Sequence, residues 1–156
     1  MIENEKIINN SKKAFNERFY FKLDVFFKMI LPLKALSHDP KHQVVSAIVP
    51  KDFSGIRAVG YNGNASGLDH NRDSMDHGKS GFLHAEENCL MKAGLHQVNS
   101  DDYIMMNTLA PCYLCAKRIL NNRIKTVFYL ETYPDDTRGI ELLKSQNVHC
   151  EQIKLT

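Results

Sequence analysis

Phe82-Leu83-His84-Ala85-Glu86 and, further along, Ala110-Pro111-Cys112-Tyr113-Leu114-Cys115 decide how this chain is read. An imidazole and two thiolates are the ligand types that zinc prefers, and three protein ligands with no fourth describe a catalytic metal site whose last tetrahedral position is left to water. His84, Cys112 and Cys115 are therefore the candidate metal ligands. Zinc lowers the pKa of such a water from about 16 to near 7, which makes a nucleophile available at neutral pH. Glu86 follows the histidine by two residues, within reach of that water but outside the ligand set, and is the candidate general acid/base. A metal-activated water beside a proton-carrying carboxylate is the equipment of hydrolytic deamination, and H-x-E followed by P-C-x-x-C is its sequence signature. Either half alone is weak, because a lone C-x-x-C also serves redox pairs and structural zinc knuckles.

Each half opens an expected helix. Phe82 to Ala93 reads as one, stopped near Gly94. Cys112 to Asn122 reads as the next, its first turn bringing the two thiols together at i and i+3. The positive dipole end of the first helix then faces the site. Around them, Val44 to Val49 and Ile56 to Tyr61 are β-rich runs separated by the turn residues Lys51 to Gly55, an antiparallel hairpin. Tyr103 to Leu109, Lys125 to Leu130 and Val148 to Ile153 read as further strands, with a short amphipathic helix over Thr137 to Ser145. Alternating strands and helices in this half imply parallel pairing with right-handed crossovers, which sets both metal-binding helix starts at one sheet edge.

Ahead of this core, Phe15, Phe19, Leu23, Phe26, Phe27, Ile30 and Leu31 recur at helical spacing between Ser11 and Leu31, with Pro32 ending or kinking the helix. Leu68 to Gly81 is polar and irregular; His70, Asp73, Asp76 and His77 crowd into it and read as solvated loop residues rather than a second metal site.

Length and composition set the outer limits. A chain of 156 residues suits a single domain, here a helical N-terminal region over about 1–36 and a catalytic core over about 37–153. The 43% hydrophobic and 24% charged composition is ordinary for a globular protein, and a formal charge of +2 gives no support to a nucleic-acid partner. Met1 to Asn10 holds no apolar run of signal-peptide length, and no stretch is long enough for a membrane span. Two of the four cysteines are accounted for as metal thiolates and the others, Cys89 and Cys150, as small buried residues, in keeping with a reducing, cytoplasmic compartment.

On these residues the chain resembles the cytidine deaminase superfamily, and within it the deoxycytidylate deaminases. The superfamily motif is carried by His84, Glu86, Pro111, Cys112 and Cys115; Ser37-His38-Asp39-Pro40, Gly60-Tyr61-Asn62-Gly63, Cys115-Ala116-Lys117, Ile124-Lys125 and Tyr133-Pro134-Asp135 match the narrower group. The resemblance implies a three-layer α/β/α fold on a five-stranded mixed sheet, with an antiparallel first hairpin and parallel C-terminal strands. It implies conversion of dCMP to dUMP by a zinc enzyme of nucleotide metabolism, and a homo-oligomer, often a hexamer. It further implies that Asn62 hydrogen-bonds the sugar, that Tyr133 lines the nucleotide pocket, and that Ala85 and Ala110 offer backbone groups to the base. The chain departs from the family at Ser46, usually Gly, at Ala65, usually Pro, and at Leu68, commonly Cys; the last two lie in a loop that binds triphosphate effectors in regulated members. For the substrate phosphate, Lys41, Arg72, Lys79 and Arg138 are candidates, each read from the sequence as a solvated surface charge.

Two other readings share the motif. A nucleic-acid editor, such as a tRNA adenosine or DNA cytidine deaminase, would need a basic, aromatic-bearing groove, against which the small net charge and the absence of tryptophan weigh. A non-enzymatic zinc module would need a fourth protein ligand, with His96 or Cys89 to supply it.

Overall fold

The computed structural model describes residues 14–156, so the Met1–Asn10 reading and the first residues of the expected N-terminal helix lie outside the described residues. Helix α1 (Glu17–Ile30) starts where the Asn16 side chain accepts a hydrogen bond from the Phe19 amide, which satisfies one orphan donor of the first turn. It gives way to a 3-10 segment (Leu31–Leu36) with Pro32 at its start, where proline's missing N–H is least costly.

Strands β1 (Val45–Pro50) and β2 (Ala58–Tyr61) form the expected antiparallel hairpin. Helix α2 (Ala85–Ala93) is followed by β3 (Tyr103–Leu109), α3 (Tyr113–Asn121), β4 (Thr126–Glu131), α4 (Arg138–Ser145) and β5 (His149–Gln152). The sheet order is β2-β1-β3-β4-β5; β1 pairs antiparallel with β3, while β3-β4 and β4-β5 are parallel. The mixed five-stranded sheet matches the architecture expected from the resemblance.

Strand periodicity divides the core into two layers. Val45, Ala47, Val49, Ile104, Met106 and Phe128 face α1, meeting its fully buried Leu23, Phe27 and Ile30. On the opposite face Ile48, Met105 and Val127 pack against Cys89 and Leu90 of α2, Ala116 and Ile119 of α3, and Ile140 and Leu143 of α4. Because β2 and β3 each run antiparallel to the β1 between them, their C-terminal ends emerge at the same edge. The chain carries His84 and Cys112 there, as open α/β sheets carry their ligand-binding groups. Among the described residues no helix is long and apolar enough to cross a membrane.

Helix α2 begins later than the spacing predicts. Leu83 is held extended in a two-way backbone pairing with Gly63, the Leu83 N–H donating to Gly63 at 2.8 Å and the Gly63 N–H donating to Leu83 at 3.1 Å. His84 therefore keeps an extended backbone (φ −76°, ψ 156°) and becomes the N-cap instead of a first-turn residue. Cys112 has the same relation to α3 (φ −67°, ψ 170°).

Candidate metal centre and substrate cavity

Two close backbone approaches bring the metal-ligating residues into place. β2 passes so near α2 that a Cβ on Gly60 would collide with the Ala85 carbonyl oxygen and the Cys89 nitrogen, both backbone atoms of that helix. The start of α4 presses likewise on the loop before α3, where a Cβ on Gly139 would strike the Pro111 carbonyl. Asn88 fastens α2 to the end of β2 by donating its side-chain N–H to the Tyr61 carbonyl at 2.9 Å.

Between the two helix starts, the Nδ1 atom of His84 lies 3.6 Å from the Cys112 sulfur and 3.3 Å from the Cys115 sulfur. All three donor atoms fall within 4.8 Å of one another. Tetrahedral zinc with bonds of about 2.0 Å to nitrogen and 2.3 Å to sulfur sets nitrogen and sulfur donors about 3.5 Å apart, and the two His84–sulfur spacings lie within about 0.2 Å of that. Among the described residues no fourth histidine, cysteine or carboxylate joins the set. Cys89 turns away, its thiol buried and donating to the Ala58 carbonyl, and His96 lies outside the cluster. This donor set is the open one of a catalytic site, and a closed structural module finds no fourth ligand in it.

The electrostatics agree with a cation in this place. A hydrogen bond from the Cys115 thiol drops the Cys112 pKa to about 4 and raises that of Cys115. The Cys112 thiolate in turn raises the pKa of the His84 imidazole against its burial. A divalent cation held here would take both cysteines as thiolates. Glu86 is 4% exposed, and burial pushes its carboxyl up to about 7, in the range where a group both accepts and returns a proton at neutral pH.

Glu86, His84, Ala85 and Cys112 stand on the wall of a cavity of about 510 Å³. Tyr133, carried just past β4, lines it as well, its hydroxyl pKa raised by burial and its ring edge-on to His77 at 5.7 Å. Asn62 also lines the cavity, but its amide is committed within the protein. It donates to the His42 carbonyl at 2.6 Å and to Asp39 at 3.2 Å, and accepts from Ser37 Oγ at 2.9 Å and the Val44 N–H at 2.8 Å. Ala110 is buried in the core, its N–H donating to the Glu131 carbonyl at 2.7 Å.

One buried pair in the same wall went unread from the sequence. Arg72, in the irregular segment after Gly67, is no solvated surface charge: its side chain is 5% exposed and its Nη1 lies 2.6 Å from both carboxylate oxygens of Asp39, itself 3% exposed. Burial works to raise the Asp39 pKa, but the Lys41 backbone N–H and the Arg72 guanidinium together hold it below its ordinary value of 3.8. The 33 residues separating these partners leave no periodicity by which to pair them. Elsewhere in the segment His70 stacks on His38 with ring centres 3.7 Å apart.

Comparisons with known proteins converge on one group. The family described as "Cytidine and deoxycytidylate deaminase zinc-binding region" matches residues 22–131. The deoxycytidylate deaminase of Saccharomyces cerevisiae is 26% identical over 161 residues, covering 97% of this chain and 51% of that protein. The ComE operon protein 2 of Bacillus subtilis is 33% identical over 115 residues, covering 71% and 60%. This chain thus spans between half and two thirds of the length of these relatives. Among solved structures, the dCMP deaminase of cyanophage S-TIM5 in complex with dCMP and dUMP superposes with a TM-score of 0.72 at 25% identity, covering 90% of this chain and all of that one.

Proposed function

Since the chain belongs to the cytidine and deoxycytidylate deaminase zinc-binding family, we propose that it is a zinc-dependent hydrolase that removes the exocyclic amine of a cytosine nucleotide, dCMP to dUMP, with release of ammonia. The carrying observation is the three-donor set of His84, Cys112 and Cys115 with buried Glu86 beside it on the wall of one cavity. Its likeness to the phage enzyme solved with dCMP and dUMP supports the choice of base and phosphorylation state.

Zinc held by these residues supplies an activated water and Lewis-acid polarisation. The chain's own groups do the rest. Glu86 carries one proton of the attacking water to the ring nitrogen as the C–O bond forms, then takes the second from the hydroxyl on the ring carbon and gives it to the amine, which leaves as ammonia as the C–N bond breaks and the carbonyl forms. Its raised pKa suits both directions of transfer. The N-cap positions of His84 and Cys112 aim the first-turn N–H groups of α2 and α3 toward the reaction, where negative charge develops. Phe82 and Tyr133 contribute apolar surface for the base. The same reading makes the protein a cytoplasmic homo-oligomer, as the resemblance to the deoxycytidylate deaminases implies.

Ammonia release from dCMP, CMP, deoxycytidine, cytosine and guanine tests the proposal directly. We expect dCMP to be turned over with the highest kcat/KM. Preference for guanine or for an unphosphorylated substrate would overturn it.

A further inference from the structure

A nucleotide site needs a cation that recognises phosphate from inside the cavity, and the four candidates separate cleanly by burial. Lys79 is 71% exposed, paired to Asp76 at 3.4 Å, and off the cavity wall. Lys41 is exposed and spends its ammonium on the Met75 carbonyl at 2.8 Å. Arg138 reaches the rim, but it is 69% exposed and holds Asp136 through both Nε and Nη2, where solvent screens what charge is left.

Arg72 differs in its burial. It lines the cavity with its side chain 5% exposed. Nη1 serves Asp39 and Nε donates to the Ser74 carbonyl at 3.0 Å, while among the described residues no hydrogen bond uses Nη2. The fully enclosed, unpaired side-chain polar atoms among the described residues belong to Ser46 and Asn107, so the Arg72 Nη2 atom is not sealed off by protein, and Arg72 stands on the cavity wall. Burying a guanidinium is costly unless its donors are used, and here one amino group has no acceptor within the protein. The Asp39 carboxylate opposes an anion less than its charge suggests, because it also accepts from the backbone N–H of Lys41 at 2.8 Å and from Asn62 at 3.2 Å. It acts as a positioning residue that locks the guanidinium plane. His42 and Ser80 line the same cavity and offer further donors.

We infer that Arg72, oriented by Asp39, is the anchor for the 5′-phosphate and so the residue that makes this a nucleotide rather than a nucleoside site. The inference rests on the nucleotide-deaminase reading above. A guanidinium gives phosphate directional, charge-assisted hydrogen bonds that neither a nucleoside nor a free base can receive.

The test compares the zinc-loaded wild type with Arg72→Gln and with the double variant Asp39→Asn/Arg72→Gln, which keeps an amide pair in place of the ion pair and guards against misfolding. The ratio of kcat/KM for dCMP over deoxycytidine should fall at least tenfold in both, through KM for dCMP. A parallel loss on the two substrates, or no loss, overturns the anchor and leaves Arg72 a structural residue. Calorimetric titration with 2-deoxyribose 5-phosphate, which has no base, separates the two claims. If the wild type binds it and both variants do not, the anchor stands even where dCMP is not the substrate. Equal affinity, or no binding by the wild type, overturns the anchor whatever the enzyme deaminates.

Discussion

Gly60→Ala probes how the metal site is held. The added methyl group would meet the Ala85 carbonyl and the Cys89 nitrogen at impossible range and the Asn88 carbonyl carbon at 3.0 Å. All three belong to the α2 backbone, so no side-chain rotation relieves the clash and the helix must withdraw from β2 by a distance on the order of 1 Å. Overpacking of this kind costs about 1–3 kcal/mol. At about 2–4 °C per kcal/mol for a chain of this size, the melting temperature should fall by about 2–12 °C. His84 immediately precedes the displaced turn, and its donor spacings of 3.3 and 3.6 Å would open beyond the roughly 0.2 Å that zinc coordination tolerates. Zinc affinity should therefore drop with stability, and turnover by about 100-fold. Calorimetric melting and chelator competition on zinc-loaded protein measure both, with Gly55→Ala as control, since a Cβ there has nothing within 4 Å. A Gly60→Ala protein that melts within 1 °C of the wild type and holds zinc as well as the control does would refute this account of the β2–α2 contact.

Three further outcomes are expected. Glu86→Gln keeps the shape of the buried side chain but cannot carry the proton, so kcat should fall about 10²- to 10⁴-fold with zinc still bound at one per chain; turnover within tenfold of wild type would reassign the proton carrier. Asn62→Ala strips partners from Asp39, Ser37, the His42 carbonyl and the Val44 N–H, and should cost about 2–4 kcal/mol in urea unfolding, where a loss below about 0.5 kcal/mol would mean those bonds carry no net stability. Asp39, with its folded pKa below 3.8, adds stability that is complete above its unfolded pKa and lost as pH falls through the folded one. The double variant Asp39→Asn/Arg72→Gln should therefore show a flatter loss of stability on acidification than the wild type, and an unaltered acid limb would count against the pair.

Much of this molecule is legible in its sequence because local chemistry and global topology agree. Tyr103 to Leu109 is a strand with the bounds its apolar run predicts, and the Leu23, Phe27 and Ile30 stripe buries the face that helical spacing assigns. The metal ligands are legible because thiol and imidazole are rare side chains in a fixed spacing. The start of α2 lies three residues beyond where the spacing predicts it, since the Leu83–Gly63 pairing that keeps the chain extended is a tertiary contact. Arg72 escapes for a related reason. An arginine in a polar loop reads as solvated until a distant aspartate encloses it.

The most direct measurement is zinc-edge anomalous diffraction from crystals of the purified protein. The account predicts one peak per chain, about 2.0–2.3 Å from His84 Nδ1 and the sulfurs of Cys112 and Cys115, with solvent in the fourth position on the side of Glu86. A stably folded protein with no peak between these residues, or a fourth protein atom closing the coordination sphere, would contradict it.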